Sequence, residues 1–208
     1  MVAIIFDVDG TLLATEEMYI GALDYTLKQQ GIEKPYDTLY RVFGLPAYES
    51  LVNLKIPNPE VIQVAWRKNL EQYRDSIRLY DGVADMLAAL SAQQETLGVV
   101  TSNTPEEFEA HHDRFGIEQF FSDFVFAGMT KKMKPAPDPI LLALSRLSIQ
   151  PEETIYIGDS VHDMGAAHAA GVKFGMAAWG VPNQEVFEQQ ADYIFDRPSD
   201  VVNWAQNN

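Results

Sequence analysis

The chain has 208 residues, of which 47% are apolar and 22% are charged, a composition typical of a globular protein with a packed core. Its formal net charge of −15 at pH 7 argues against binding to nucleic acid or to an anionic membrane surface. The absence of cysteine excludes disulfide and thiolate chemistry, and the absence of a secretion signal and of any apolar run of about 18 residues predicts a cytoplasmic protein.

Short apolar segments alternate with helical patterns along most of the chain. This alternation predicts an α/β fold with a parallel sheet flanked by helices. In such a sheet, ligands bind outside the carboxyl ends of the strands, so functional residues are expected there. The predicted strands are Val2–Val8, Thr96–Val100, Asp123–Phe126, Thr154–Ile157, Val172–Ala177 and Asp192–Phe195.

The alternation is interrupted after the first strand, where only helical patterns occur. Thr15 is the predicted N-cap of one helix, and Asn58-Pro59 begins another that runs to about Ile77. Tyr80-Asp81-Gly82 has the composition of a turn at which the chain returns to the alternating pattern. We therefore predict an α/β catalytic core of residues 1–13 and 80–208, with an all-helical cap of residues 14–79 inserted into it.

The first predicted strand ends in two acidic residues, Asp7 and Asp9, followed by Gly10 and Thr11. Alternation along a strand places both carboxylates on the same side at its carboxyl end. Carboxylate oxygens are ligands that Mg²⁺ prefers. Asp-Gly is also a common turn sequence, so this segment alone leaves a purely structural explanation open.

The second core strand is followed by Thr101-Ser102-Asn103 and then by a predicted helix. Thr104 and Glu107 have the spacing of a capping box around Pro105. Hydroxyls and free N–H groups at such a helix N-terminus can bind a phosphate group. Thr101 could equally be an ordinary β-branched residue at the end of a strand.

Lys134 is the candidate cation for an anionic substrate in this acidic protein. It lies in a loop beside Pro135, just before a helix that is predicted to start at Asp138-Pro139. Lys131 and Lys132 lie in the same loop but are predicted to be solvated, as most lysines are.

Two further acids follow the fourth predicted core strand. Asp159 lies at the carboxyl end of this strand, after Gly158, and has no evident structural role. Asp163 has two explanations, because Ser160-x-x-Asp163 can be a variant capping box and Asp163 can also belong to a functional site.

Together these motifs resemble those of the haloacid dehalogenase superfamily, in its phosphatase branch with a helical cap. The resemblance covers essentially the whole chain and implies a Rossmann-like sheet, similar to phosphoglycolate phosphatases and β-phosphoglucomutases. The four motifs, in order, are Asp7-Val8-Asp9-Gly10-Thr11-Leu12, Thr101-Ser102-Asn103, Lys134-Pro135, and Gly158-Asp159 with Asp163.

The resemblance implies a role for each acid. Asp7 would be the nucleophile that becomes an aspartyl phosphate, and Asp9 would be the general acid/base. Mg²⁺ would be the cofactor, held by Asp7, Asp159 and the Asp9 main-chain carbonyl, with Asp163 in support.

The resemblance also implies how a phosphoryl group would be bound. Thr101 and the Ser102 amide would bind its oxygens, and Lys134 would neutralise both those oxygens and the nucleophile. Physical chemistry agrees, because a carboxylate that approaches a phosphate dianion at 4 Å is opposed by about 4 kcal/mol per pair of unit charges at an effective dielectric near 20.

The predicted function is Mg²⁺-dependent hydrolysis of a small phosphorylated metabolite, with no obligate protein partner inferred. Asp9 argues against dehalogenases, which lack this second acid, and against phosphonate-cleaving members, which carry a small residue there. A sugar phosphomutase of the β-phosphoglucomutase type is the alternative, although Ala47 occupies the place of its cap-loop arginine. A phosphate-sensing module without turnover is a third hypothesis, which the complete catalytic set disfavours.

Overall fold

The computed structural model describes residues 2–181, 184–185, 187 and 190–208, except for the side chain of Asp113. The chain divides into two compact units. The first comprises Met1–Leu13 and Leu79–Asn208, and the second comprises Ala14–Arg78. Their roles as catalytic core and cap stay predictions.

The secondary structure of the described residues alternates strands and helices over most of the first unit. The strands are β1 (Ala3–Phe6), β2 (Leu13–Ala14), β3 (Arg78–Leu79), β4 (Thr96–Val100), β5 (Asp123–Val125), β6 (Thr154–Gly158), β7 (Lys173–Ala177) and β8 (Tyr193–Phe195). The helices are α1 (Glu16–Gln29), α2 (Tyr36–Tyr40), α3 (Ala47–Asn53), α4 (Pro59–Leu70), α5 (Val83–Ala92), α6 (Pro105–His112), α7 (Asp138–Leu147), α8 (Val161–Ala169) and α9 (Pro198–Ala205).

The first unit is built on a six-stranded sheet of order β5-β4-β1-β6-β7-β8, in which neighbouring strands are parallel. Every residue of β1 is buried, as expected for the central strand of a parallel sheet covered on both faces. Helix α5 packs against α9, and α7 packs against α8. The predicted α/β fold with a parallel sheet is confirmed, and all six predicted strands are present with ends that differ by at most two residues.

The prediction that only helices occur between residues 14 and 79 was wrong at its two ends. Strands β2 and β3 pair there as a separate two-stranded sheet. The sequence could not reveal them, because a strand of two residues is too short to show any alternation of apolar and polar positions.

The second unit is otherwise helical. Helix α1 packs against α4, where the Trp66 indole donates a hydrogen bond of 3.1 Å to the Tyr19 carbonyl and Asn69 donates one of 2.9 Å to the Thr26 hydroxyl. Thr15 precedes α1 as predicted, but its side chain makes no capping hydrogen bond. The α-helix predicted to run to about Ile77 ends at Leu70, and a 3-10 helix over Glu71–Ser76 follows it.

None of the helices among the described residues combines the length and the apolar character that a membrane crossing requires.

Gly175 in β7 provides a test of the packing of the sheet. A Cβ atom there would lie 2.6 Å from Cε2 of Phe195 and 3.1 Å from Cδ1 of Ile155. The Phe195 ring itself packs against the rings of Tyr193 and Trp204. We expect Gly175→Ala to lower the free energy of unfolding by about 1–3 kcal/mol, as overpacking of a core does, which urea denaturation would measure.

The matched control is Gly98→Ala in β4. The nearest atom to its added Cβ would be the terminal Cδ1 methyl of Leu147 at 3.0 Å, and this methyl can rotate away. Equal losses of stability in the two variants would show that the Phe195 ring is not constrained in this way.

Candidate active site

The carboxyl ends of three central strands bring the predicted site residues together. The register of β1 places Phe6 beside Val99 of β4 and Ile157 of β6. Asp7 follows Phe6 directly, and Thr101 and Asp159 lie two residues after Val99 and Ile157, so all three emerge at one edge of the sheet. The Asp7 amide extends the pairing by donating a hydrogen bond of 2.9 Å to the Ile157 carbonyl.

Glycines allow the segments after β1 and β6 to approach each other closely. Gly10 has a φ of +79°, and a Cβ atom on it would overlap the Asp159 carboxylate. A Cβ atom on Gly158 would in turn meet the side chain of Asp163. The segment that follows β7 also lies close to the turn after β1. A Cβ atom on Gly180 would collide with the Gly10 carbonyl, and the Trp179 indole donates a hydrogen bond of 2.8 Å to the Thr11 carbonyl.

Lys134 is buried among these acids, whereas Lys131 and Lys132 are exposed. Its ammonium nitrogen lies 2.7 Å from Oδ1 of Asp163 and 3.0 Å from Oδ1 of Asp7. Burial opposes the charge on Lys134, but Asp163 and Asp7 together raise the pKa of its ammonium above the ordinary value. Lys134 is therefore charged at physiological pH.

Asp7, Asp159 and Asp163 form a buried cluster in which one ligand atom of each lies within 4.8 Å of the others. Burial, with the charges of Asp163 and Asp9, raises the pKa of Asp7 to about 7, although Lys134 acts in the opposite direction. Burial, with the charges of Asp163 and Asp7, raises the pKa of Asp159 well above its ordinary value. The cluster therefore holds more negative charge than its surroundings stabilise.

This arrangement fits a divalent metal ion. Among the described residues, Lys134 is the cation that forms ion pairs with the cluster, so one positive charge faces three carboxylates. The donor atoms are oxygens without cysteine or histidine, which suits a hard cation. The residues can thus hold a metal. The Asp9 carboxylate is not one of the three in this cluster, and the contribution of its main-chain carbonyl stays a prediction.

Asp163 serves as a helix cap and as a member of the cluster at the same time. Its Oδ2 accepts a hydrogen bond of 3.0 Å from the Ser160 amide, and its own amide donates one of 3.2 Å to the Ser160 hydroxyl. Its Oδ1 accepts from Lys134. Although burial acts in the opposite direction, Lys134 and Ser160 lower the pKa of Asp163, so this acid is charged. The two explanations of the sequence are therefore compatible.

The turn after β4 begins with Thr101, which is buried and accepts a hydrogen bond of 3.2 Å from the Asn103 amide. The predicted capping box of α6 is present, because Thr104 and Glu107 exchange hydrogen bonds of 3.0 and 3.2 Å. Ser102 lies half-buried in this turn. The turn and the N-terminus of α6 thus have the form expected of an anion-binding segment.

Asp9 contacts two residues, Asn103 and His112, to which the sequence analysis assigned no role. Its Oδ2 accepts a hydrogen bond of 2.7 Å from the side-chain amide of Asn103, and its Oδ1 lies 3.1 Å from Nε2 of His112. His112 was missed because it lies at the C-terminal end of α6, outside every motif.

Tyr156 is a second residue that sequence reasoning missed. This buried residue of β6 accepts a hydrogen bond of 3.2 Å from Lys134 and donates one of 3.0 Å to the Val100 carbonyl. The tyrosine therefore fixes the position of the lysine ammonium. The only signal in the sequence was a polar group within an otherwise apolar strand.

A model of the haloacid dehalogenase-like hydrolases matches residues 4–177 of the chain. Pyrophosphatase PpaX from Bacillus velezensis is 33% identical to the chain over 204 residues, which cover 96% of this chain and 94% of that protein. The chain belongs to the haloacid dehalogenase-like hydrolase family. The family membership predicted from the four motifs is confirmed.

Solved structures show the same fold as this hydrolase over nearly its full length. A candidate phosphoglycolate phosphatase from Lactobacillus plantarum is 29% identical, with a TM-score of 0.87 and coverage of 97% of both chains. A candidate β-phosphoglucomutase from Thermotoga maritima is 26% identical, with a TM-score of 0.76 and coverage of 100% of this chain and 99% of that one.

The raised pKa of Asp7 predicts how the stability of the metal-free hydrolase depends on pH. Its carboxyl group has a pKa of about 7 in the folded chain against 3.8 ordinarily, so protonation favours the folded state. This contribution is fully present below about pH 4 and is lost as the pH rises through 7, at about 1.4 kcal/mol per unit of pKa difference. We expect Asp7→Asn, measured by urea unfolding in EDTA, to be more stable than the parent at pH 8 and to lose less stability between pH 5 and 8.

Added Mg²⁺ should stabilise the parent more than Asp7→Asn at pH 8, because the variant lacks one of the anionic ligands. Asp196→Asn, at an exposed position, is the control and should follow the parent. If Asp7→Asn and the parent had the same pH profile in EDTA, the proposed excess of negative charge at Asp7 would be wrong.

Proposed function

We propose that this chain is a Mg²⁺-dependent phosphatase that transfers a phosphoryl group from a small molecule to Asp7 and then to water. The observation that carries the proposal is the buried Asp7 carboxylate, 3.0 Å from the Lys134 ammonium and within the cluster formed with Asp159 and Asp163. The enzyme class predicted from the sequence, a phosphatase, is confirmed by the family and by the phosphatase relatives.

The chemistry of the residues supports each step. Asp7 would attack phosphorus, and Lys134 would reduce the repulsion between this carboxylate and the phosphate dianion. Thr101 and the Ser102 amide would bind the phosphoryl oxygens at the turn before α6. Mg²⁺ bound at the acid cluster would supply further neutralisation of the transferring group. Phosphoryl transfer depends mainly on such positioning and charge stabilisation.

Asp9 would act as the general acid/base in both half-reactions. In the first it would donate a proton to the leaving oxygen, and in the second it would remove a proton from the water that attacks the aspartyl phosphate. Its side chain lies outside the metal cluster, so its oxygens are not committed to the cation.

We propose that the second unit, Ala14–Arg78, is a cap that selects the substrate. It contains eight basic and nine acidic residues, so its formal charge is −1, whereas the rest of the chain carries −14 of the total of −15. A nearly neutral cap repels an anionic substrate far less than the rest of the protein does. Pyrophosphate and phosphoglycolate, which the names of relatives suggest, are the first substrates to assay.

The mutase alternative keeps one supporting observation, which is the structural similarity to the candidate β-phosphoglucomutase from Thermotoga maritima. Ala47, at the start of α3, argues against it because the chain lacks an arginine at that place. A requirement for a sugar bisphosphate as activator would favour the mutase, and release of inorganic phosphate without an activator would favour the phosphatase.

The first test of the proposed function is phosphate release from p-nitrophenyl phosphate and from a panel of metabolite phosphates. We expect activity with Mg²⁺, none in EDTA, and less than about 10⁻³ of the parent rate in Asp7→Asn, because an amide is not a nucleophile. The control Asp196→Asn should keep the parent rate. Turnover in EDTA, or full turnover by Asp7→Asn, would refute the mechanism.

Asp9→Asn separates the two roles of the general acid/base, which is typically worth about 10²–10⁴ in rate. An alkoxide leaving from a sugar phosphate needs a proton, so this variant should stall before Asp7 is phosphorylated. Nitrophenolate leaves without one, so with p-nitrophenyl phosphate the variant should release about one nitrophenol per enzyme in a burst and then nearly stop.

Mass spectrometry of the quenched Asp9→Asn enzyme should find a phosphate adduct on the peptide that contains Asp7. Steady turnover near the parent rate, without a burst, would show that Asp9 has neither role.

A further inference from the structure

His112 is a fully buried residue of α6 whose two ring nitrogens both have partners. Nδ1 donates a hydrogen bond of 3.1 Å to the Phe108 carbonyl, one turn earlier in the helix. Nε2 lies 3.1 Å from Oδ1 of Asp9. The imidazole also stacks on the ring of Phe108, with the centroids 5.0 Å apart.

The partner of Nδ1 determines what faces Asp9. A carbonyl oxygen can only accept a hydrogen bond, so the proton is on Nδ1 and the orientation of the ring is fixed. Turning the ring over would break this bond and the contact with Asp9. The helix backbone and the Phe108 ring therefore direct Nε2 of His112 at one oxygen of Asp9.

The other oxygen of Asp9 is held from the same segment of the chain. Oδ2 accepts a hydrogen bond of 2.7 Å from Asn103, which lies in the turn just before α6. This turn is anchored in two ways: Thr104 and Glu107 form the capping box, and the Asn103 carbonyl accepts a hydrogen bond of 2.8 Å from the Ala127 amide. Both oxygens of Asp9 are thus oriented by α6 and the turn that precedes it.

We propose that His112 is a positioning residue that holds the Asp9 carboxyl group in the orientation needed for general acid/base catalysis. The inference rests on the proposed function, in which Asp9 is the acid/base. His112 itself does not touch the reacting atoms. A misplacement of about 1 Å in a catalytic group can cost about 10²-fold in rate, so loss of this contact should be visible in kcat.

Asparagine and glutamine at position 112 separate the two contacts of the imidazole. The amide of His112→Asn ends at the δ position, so it keeps a donor for the Phe108 carbonyl and loses the contact with Asp9. The amide of His112→Gln reaches the ε position, so it keeps a hydrogen-bonding group facing Asp9 and loses the bond to Phe108. The thermal midpoints of the two variants should fall by similar amounts, because each loses one buried hydrogen bond.

We expect kcat for a metabolite phosphate to fall about 10²-fold in His112→Asn with little change in KM, and His112→Gln to keep most of the parent rate. In the Asp9→Asn background, His112→Asn should cause no further loss, because the carboxyl group that it positions is gone. The neighbouring buried His111 gives the matched control, since His111→Asn should leave kcat unchanged.

The outcomes separate the inference from the function on which it rests. If the parent lacks phosphatase activity, or Asp9→Asn is as active as the parent, both are overturned. If Asp9→Asn is impaired but His112→Asn and His112→Gln have equal rates, only the positioning role of His112 is overturned. Should His112→Asn fail to fold, His112→Phe replaces it, because it keeps a ring next to Phe108 and offers no hydrogen-bonding group to Asp9.

Discussion

One buried lysine faces three buried carboxylates at the carboxyl end of the central strands, and the rest of the site is arranged around this imbalance of charge. Lys134 pairs with Asp7 and Asp163, while Asp159 completes the cluster. Burying unbalanced charge is unfavourable, so the surrounding fold must force these groups together. It does so with Gly10 and Gly158, which let the chain segments approach closely, and with Tyr156, which fixes the lysine. The energy stored in this repulsion is what a bound cation would release.

Two neighbouring regions of the site follow different physical rules. The cluster of Asp7, Asp159 and Asp163 is crowded with like charge and suits a cation. Asp9 is instead surrounded by partners, Asn103 and His112, which orient its two oxygens. Two acids that are separated by a single residue thus have different environments, and this difference would allow Asp7 to act as the proposed nucleophile and Asp9 as the proposed general acid/base.

Much of the fold and of the site could be predicted because both depend on local patterns. Each strand of the parallel sheet is a short apolar run, and the acids lie directly after β1 and β6. His112 and Tyr156 could not be predicted, because their roles arise from the register between strands and the packing of α6, which no spacing in the sequence records. Asp163 was ambiguous for a physical reason: one carboxylate has two oxygens, and here one caps α8 while the other meets Lys134.

The order of strands in the sheet has a consequence for the synthesis of the protein. Strand β1, which leads directly into Asp7, is made first, but its two neighbours in the sheet begin only at Thr96 and Thr154. Until β6 has been synthesised, the fully apolar Ala3–Phe6 segment cannot pair with both of its neighbouring strands. Asp7 likewise lacks Asp159 and Asp163, the other two acids of its cluster. The nascent chain therefore contains an apolar segment that stays incompletely covered until β6 has been made. The candidate active site can form only as the last third of the polypeptide emerges.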